Sequence, residues 1–234
     1  MIKKAMILAA GFGKRIQPLT FECPKPLLKI GSETLLFTTL KFLQELGIKQ
    51  VVINVHHLSE QIIDYISENK FNLNIVVVDE KEKILNTGGG ILNAVRHFDG
   101  NFLCINPDTI WNLNYIKEIK DMENKFLSSK TKISMLVVKK EKSFDKNLKG
   151  DFNLENNLIN KKNQENLKYI YTGLQIIKPE IFSGLKTDVF SINKIWNNLI
   201  EINELHGIES NIEFLHVSTI DIYKNLLKKN LNVK

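Results

Sequence analysis

The first half of the chain alternates short apolar runs with amphipathic stretches. Residues 5–10 are uninterrupted hydrophobe, as a parallel strand buried on both faces should be. Residues 11–26 are punctuated by Gly, Pro and Thr and predict a loop. Leu36, Leu40 and Leu43 then fall on one stripe of a helix over 33–46, which Gly47 closes. Strands are predicted at 50–55, 74–79 and 101–106. Between them, Ile62, Ile63 and Ile66 mark a helix over 59–70 with Ser59 as its cap. Ile91, Val95 and Phe98 mark another over 87–98. Strands and helices in alternation predict an α/β fold: a mostly parallel sheet with helices on both faces.

After Asp108 the pattern loosens. Helices are expected at 113–123, 192–205 and 220–229, and strands at 132–138, 174–178 and 212–217. Residues 141–167, rich in Asn and Lys, predict a loop carrying a small hairpin. No internal repeat or low-complexity linker divides the chain. The expectation is therefore one domain over 1–234, falling into halves at 1–110 and 111–234, the second more elaborated.

Composition narrows the partners. The net charge is +6 and the pI is near 9.1, but the lysines are spread along the chain in short clusters such as Lys139-Lys140 and Lys161-Lys162. A basic balance is compatible with nucleic acid, a membrane surface or small phosphorylated ligands, but lysines so distributed read first as solvated surface and argue against nucleic acid. The longest apolar runs fall far short of the roughly 18 residues a membrane span needs, so no membrane partner is expected. Cys23 and Cys104 lack metal-ligand spacing and fit a reducing cytoplasm, with Cys104 buried in an apolar run and Cys23 exposed in a loop.

Ligands on open α/β sheets sit beyond the carboxyl ends of the strands. Two loops there carry chemistry. The first follows Ala10 and holds Gly11, Gly13, Lys14 and Arg15, with Lys25 further on between Pro24 and Pro26. Glycines let backbone N–H groups approach an anion, and the cations add charge. Neither the P-loop nor the dinucleotide fingerprint fits, since Ile16 stands where the latter needs its third glycine. The second loop follows the fourth strand and contains Asn106-Pro107-Asp108.

The string Leu8-Ala9-Ala10-Gly11-x-Gly13-x-Arg15-x-x-Pro18-Leu19-Thr20-x-x-x-Pro24-Lys25-Pro26 resembles the signature of sugar-1-phosphate nucleotidylyltransferases. Thr87-Gly88-Gly89-Gly90-Ile91, Asn106-Pro107-Asp108, Gly150-Asp151-Phe152 and Tyr171-Thr172-Gly173-Leu174-Gln175 extend the resemblance along the chain. It is strong up to Asp108 and patchier beyond. The order looks closest to the N-acetylmuramate-1-phosphate uridylyltransferase and mannose-1-phosphate guanylyltransferase-like branch.

The resemblance implies a Rossmann-like fold of the nucleotide-diphospho-sugar transferase type. It also implies the reaction of a nucleoside triphosphate with a sugar 1-phosphate, giving a nucleotide sugar and pyrophosphate with Mg2+ as cofactor. Leu8, Ala10 and Gly11 would lie by the nucleoside. Gly13, Lys14 and Arg15 would hold the triphosphate, with Arg15 stabilising the transition state and Lys25 bridging the reacting phosphates. Thr87, Gly88 and Gly89 would line the base or ribose pocket. Asp108 would bind the metal, with Asn106 supporting its loop. Gly150, Asp151, Thr172 and Gly173 would shape the sugar pocket.

One position departs from the pattern. Where the family places a second metal-binding aspartate, this chain has His216, and Ser218 replaces a glycine two positions on. Mg2+ prefers oxygen, whereas imidazole suits softer ions. Three readings follow: Asp108, phosphates and water hold Mg2+ with His216 at most bonded to a metal-bound water; the metal differs; or binding persists without turnover. The first is preferred. Plainer roles also exist: Arg15 and Lys25 as surface charges, Asp108 as a turn residue, Thr87 as a helix cap, His56-His57 as loop residues, and Trp111 and Trp196 as core.

Overall fold

The computed structural model describes residues 1–229; residues 230–234 of the second half lie outside them. The strands expected before Asp108 form as β1 (Lys4–Leu8), β4 (Gln50–Val55), β5 (Asn74–Asp79) and β6 (Phe102–Ile105). A small ribbon of β2 (Lys29–Ile30) and β3 (Glu33–Thr34) precedes α1 (Leu35–Leu46). Thr34 caps α1 by accepting the Phe37 N–H at 3.0 Å, and Gly47 ends it at φ +93°. The other early helices are α2 (Ser59–Glu68) and α3 (Asn86–Ala94); α3 stops short of Phe98 in a 3-10 turn.

In the second half, α4 (Tyr115–Leu127) leads to β7 (Ile133–Lys139). The hairpin of β8 (Asn153–Glu155) and β9 (Leu158–Asn160) turns on Asn156 and Asn157, both at positive φ. Then follow β10 (Tyr169–Ile177), α5 (Asn193–Glu201), β11 (Leu205–Ser210) and α6 (Ile220–Lys228).

Nine strands make one sheet in the order β5-β4-β1-β6-β10-β7-β11-β9-β8. The first four are mutually parallel; β10 runs antiparallel between β6 and β7 and makes the sheet mixed. One face packs on α1, α2 and α4 through Leu40, Ile62 and Ile119; the other packs on α3 and α5 through Ile91 and Trp196. Among the described residues no helix is long and apolar enough to cross a membrane.

Two expectations are corrected. The helix over 192–205 ends at Glu201, and Asn203 at φ +55° turns the chain so that Leu205 begins a strand. Residues 212–217 form no strand of the sheet. Their backbone bonds go to two separate loops: Ile110 N–H to Leu215 O and Val217 N–H to Asp108 O on one side, Phe144 N–H to Phe214 O on the other.

The chain winds from β1 outward to β4 and β5, then returns to place β6 on the other side of β1. Such a reversal opens a crevice beyond the strand ends. Ile7 pairs with Ile105, so the segments after β1 and β6 leave the sheet at the same level. The topology thus puts the Gly11 loop and the Asp108 loop side by side.

Candidate active site

A cleft of about 380 Å³ opens at this crevice. Leu8, Ala10, Gly11, Gly13, Lys14, Arg15, Lys25, Thr87, Asn106 and Asp108 all line it. Residues 83 positions apart in sequence meet there: Lys25 Nζ lies 2.5 Å from Asp108 Oδ2.

The Gly11 loop owes its shape to local bonds. Gly13 adopts φ +61°, and a side chain there would meet Thr20 Cγ2 at 2.8 Å. Gly13 O accepts the Ile16 N–H at 2.8 Å and the Thr20 hydroxyl at 3.0 Å. Ile16 is buried and anchors the loop, while Lys14 and Arg15 stay exposed at the cleft. A Cβ on Gly11 would meet nothing within 4 Å, so that backbone lies open to a ligand. Phe12 packs across His56 and His57, and His57 Nε2 lies 2.8 Å from Thr20 O.

Asp108 closes the opposite wall. Burial pushes its carboxyl up, but the Lys25 ammonium and then His216, 3.1 Å away, outweigh this. The carboxyl is held well below the usual carboxylate range and is ionised at neutral pH. Asp108 Oδ1 is buried and has no hydrogen-bond partner. Among the described residues no three His, Cys, Asp or Glu side chains converge as a metal cage. A hard divalent ion fits such a wall if most of its ligands are phosphate oxygens and water.

The glycine run after Thr87 has a different cause from the one its sequence suggests. The resemblance puts Gly88 and Gly89 along the base or ribose pocket, yet both are buried and lie outside the cleft lining. Their N–H groups donate to Phe190 O at 2.9 and 3.0 Å. A Cβ on Gly88 would meet the Phe190 ring at 2.4 Å, and one on Gly89 the Asp188 carbonyl at 2.1 Å. Gly88 and Gly89 have no side chains because residues 188–192 lie across them. Thr87 reaches the cleft, and its hydroxyl accepts the Ile192 N–H at 3.0 Å.

None of the sugar-side residues Gly150, Asp151, Thr172 and Gly173 belongs to the lining of this cleft. Thr172 is buried and gives its hydroxyl to Leu136 O at 2.8 Å. The β10–β7 register shifts between Tyr171 and Leu174, leaving Thr172 and Gly173 in a bulge. Gly173 at φ +90° presses on Asn106, whose N–H donates to Gly173 O at 2.8 Å. Gly150 packs on the Leu167 carbonyl. Asp151 is exposed and accepts the Tyr171 N–H at 2.9 Å. Trp111 and Trp196 are core residues, bonded to Asn106 O and Gln175 Oε1. Cys104 is buried, and its thiol is pushed up to about 12 by that burial; Cys23 is half-buried rather than exposed.

Two wall residues escaped the sequence reading. Asn54 Oδ1 accepts the Ala9 N–H at 3.1 Å, and its Nδ2 donates to Glu80 Oε1 at 2.7 Å. Glu80 Oε2 accepts the Leu85 N–H at 2.7 Å. This pair ties the ends of β1, β4 and β5 together, and Gly90 lacks a side chain where one would strike both. The signal was available: Asn54 is a polar residue within a buried strand, at its carboxyl end.

Comparison with known proteins identifies the family. Residues 4–145 match the nucleotidyl transferase family. The chain is 27% identical to the N-acetylmuramate alpha-1-phosphate uridylyltransferase of Caulobacter vibrioides, over 92% of this chain and 91% of that one. It is 29% identical to the Neisseria meningitidis enzyme of the same name, over 93% and 94%. The crystal structure of HddC from Yersinia pseudotuberculosis shares the fold, with a TM-score of 0.77 at 21% identity over 97% and 99% of the two chains. The chain belongs to the nucleotidyl transferase family.

Proposed function

We propose that this chain transfers a uridylyl group from UTP to N-acetylmuramate 1-phosphate, releasing pyrophosphate. One observation supports the site most: Arg15, Lys25, Asp108 and the open backbone of Gly11 face one cleft at the switch point of the sheet. The choice of substrates rests on the two uridylyltransferase relatives that match nearly end to end. GTP with mannose 1-phosphate is second. A probable mannose-1-phosphate guanylyltransferase of Oryza sativa is 31% identical, over 46% of this chain.

The reaction brings two anions together, so positioning and charge neutralisation carry most of it. The N–H groups of the Gly11 loop and the cations Lys14 and Arg15 would grip the triphosphate. A sugar phosphate oxygen attacks the α-phosphorus, the bond to the β-phosphate oxygen breaks, and pyrophosphate leaves. Arg15 would face the charge that builds on the leaving group. Lys25, already paired to Asp108, would lie between the phosphates that react. A divalent ion such as Mg2+, held by Asp108, would neutralise phosphate oxygens. Asn54 and Glu80 would fix the wall beneath the nucleoside. Gly150, Asp151 and the Thr172–Gly173 bulge would shape the sugar end, with Asp151 offering the polar group. Both cysteines are free thiols, in keeping with a cytoplasmic setting.

The test is pyrophosphate release with Mg2+ across four nucleoside triphosphates and a panel of sugar 1-phosphates. Turnover is expected with UTP and N-acetylmuramate 1-phosphate above all other pairs. A preference for another pair would overturn the substrate assignment, and no turnover with any pair would leave a nucleotide-sugar binding protein.

A further inference from the structure

A second cavity, of about 280 Å³, lies between residues 181–190 and α5. Its lining shares no residue with that of the cleft. The walls are apolar: Ile181, Leu185 and Phe190 on one side, Ile195 and Leu199 of α5 on the other. The exposed side chains of Lys186, Lys194 and Asn198 add polar groups. Among the described residues neither lysine forms a salt bridge. Asp188, the one carboxylate of this lining, accepts the Val189 N–H at 2.7 Å. An apolar interior thus meets a rim with a surplus of positive charge. Sites for drug-sized ligands span roughly 300–1,000 Å³. This cavity suits a smaller body, one ring or branched chain carrying a single negative charge.

The segment that walls the cavity is clamped to the cleft at its far end. Phe190 N–H donates to Leu85 O at 3.2 Å, and Phe190 O accepts the N–H groups of Gly88 and Gly89. Ile192 N–H donates to the hydroxyl of Thr87, which lines the cleft with Ile84 and Asn86. Residues 186–189, by contrast, make no backbone hydrogen bond to another element among the described residues. One wall of the cavity is therefore free to adjust, and its continuation sets a wall of the cleft.

We propose that this cavity is an effector site for a small amphipathic monoanion, an aryl or alkyl carboxylate, whose binding strengthens nucleotide binding in the cleft. The apolar body displaces water from Phe190 and Leu199, and the carboxylate faces Lys186 and Lys194. Packing there orders residues 186–189 and holds Phe190 O against α3. The cleft wall at Thr87 is then already fixed when the nucleotide arrives, and the second ligand has less to order. The coupling rests on the reading of the cleft as a nucleotide site.

The probe is 3-phenylpropionate, with 3-phenylpropanol and 3-phenylpropylamine as charge controls, titrated into the whole protein and followed by amide NMR. Saturable shifts at Leu185, Phe190 and Ile195 are expected, with the carboxylate binding tightest and the amine weakest. With the cavity saturated, the Kd for UTP should fall about fivefold, the low end of couplings between sites, and UTP should tighten the carboxylate by the same factor. Leu185→Trp, at an exposed position, fills the cavity and should remove both responses at unchanged basal turnover. Lys186→Glu combined with Lys194→Glu should reverse the order of carboxylate and amine. No saturable shift in this region, equal binding of the two charges, or a UTP affinity indifferent to the carboxylate would overturn the proposal while leaving the proposed function standing. A protein that binds no nucleoside triphosphate would overturn both.

Discussion

Two glycine-bearing segments of similar appearance do opposite jobs. At Gly11 a side chain would meet nothing within 4 Å, and the backbone fronts the cleft. At Gly88 and Gly89 a side chain would strike Phe190 and Asp188 of the same chain, and the N–H groups are already spent on Phe190 O. The first glycine reserves space for a ligand; the second pair reserves space for the protein. Gly13 stands between, open toward the cleft yet fixed by its positive φ and by Thr20. A Gly-rich string in sequence therefore marks close approach without saying what approaches.

Substitutions separate the two demands. The largest effect is expected at Arg15→Ala, where kcat/KM for pyrophosphate release should fall by about 10²- to 10³-fold, as for loss of one transition-state donor. Arg15 is exposed, so its thermal midpoint should stay at the wild-type value. Next is Gly89→Ala, which drives a methyl into the Asp188 carbonyl. It should cost about 1–3 kcal/mol of stability, read by urea denaturation, while molecules still folded keep turning over. Gly11→Ala should fold with stability within about 0.5 kcal/mol of wild type. Its KM for the nucleotide should rise by about tenfold, equivalent to roughly 1.4 kcal/mol. A Gly11→Ala protein that unfolds, or a Gly89→Ala protein that loses turnover alone, would reverse the assignments. The smallest effect separates the two thiols: at pH 8 a thiol reagent should label half-buried Cys23 slowly, and Cys104 only after unfolding.

What the sequence disclosed follows from how each signal arises. The strands β1 and β6 were legible because their interiors are apolar, and β4 because only Asn54 interrupts its run of Val and Ile, as double-sided burial requires. The loops after β1 and β6 were legible as site loops because strand carboxyl ends gather ligands. That they meet in one cleft depends on β6 returning to the far side of β1, a choice of topology that no local pattern encodes. Strand β11 was hidden because His206, Gly207 and Glu209 interrupt its apolar positions, and Gly207 lacks a side chain only where Ile159 of the hairpin packs on it. Residues 212–217 looked more like a strand and yet serve as a clasp, since their partners are loops brought near by the fold. Glu80 carried no motif; its role comes from hydrogen bonds to Asn54 and Leu85.

Backbone amide NMR during titration with UTP and Mg2+ tests the division between the two glycine segments most directly. The N–H signals of Gly11, Gly13 and Arg15 should shift in a saturable way, while those of Gly88 and Gly89, held by Phe190 O, stay near their starting positions. Saturable shifts centred on Gly88, Gly89 and Phe190, with the Gly11 loop silent, would contradict the placement of the triphosphate.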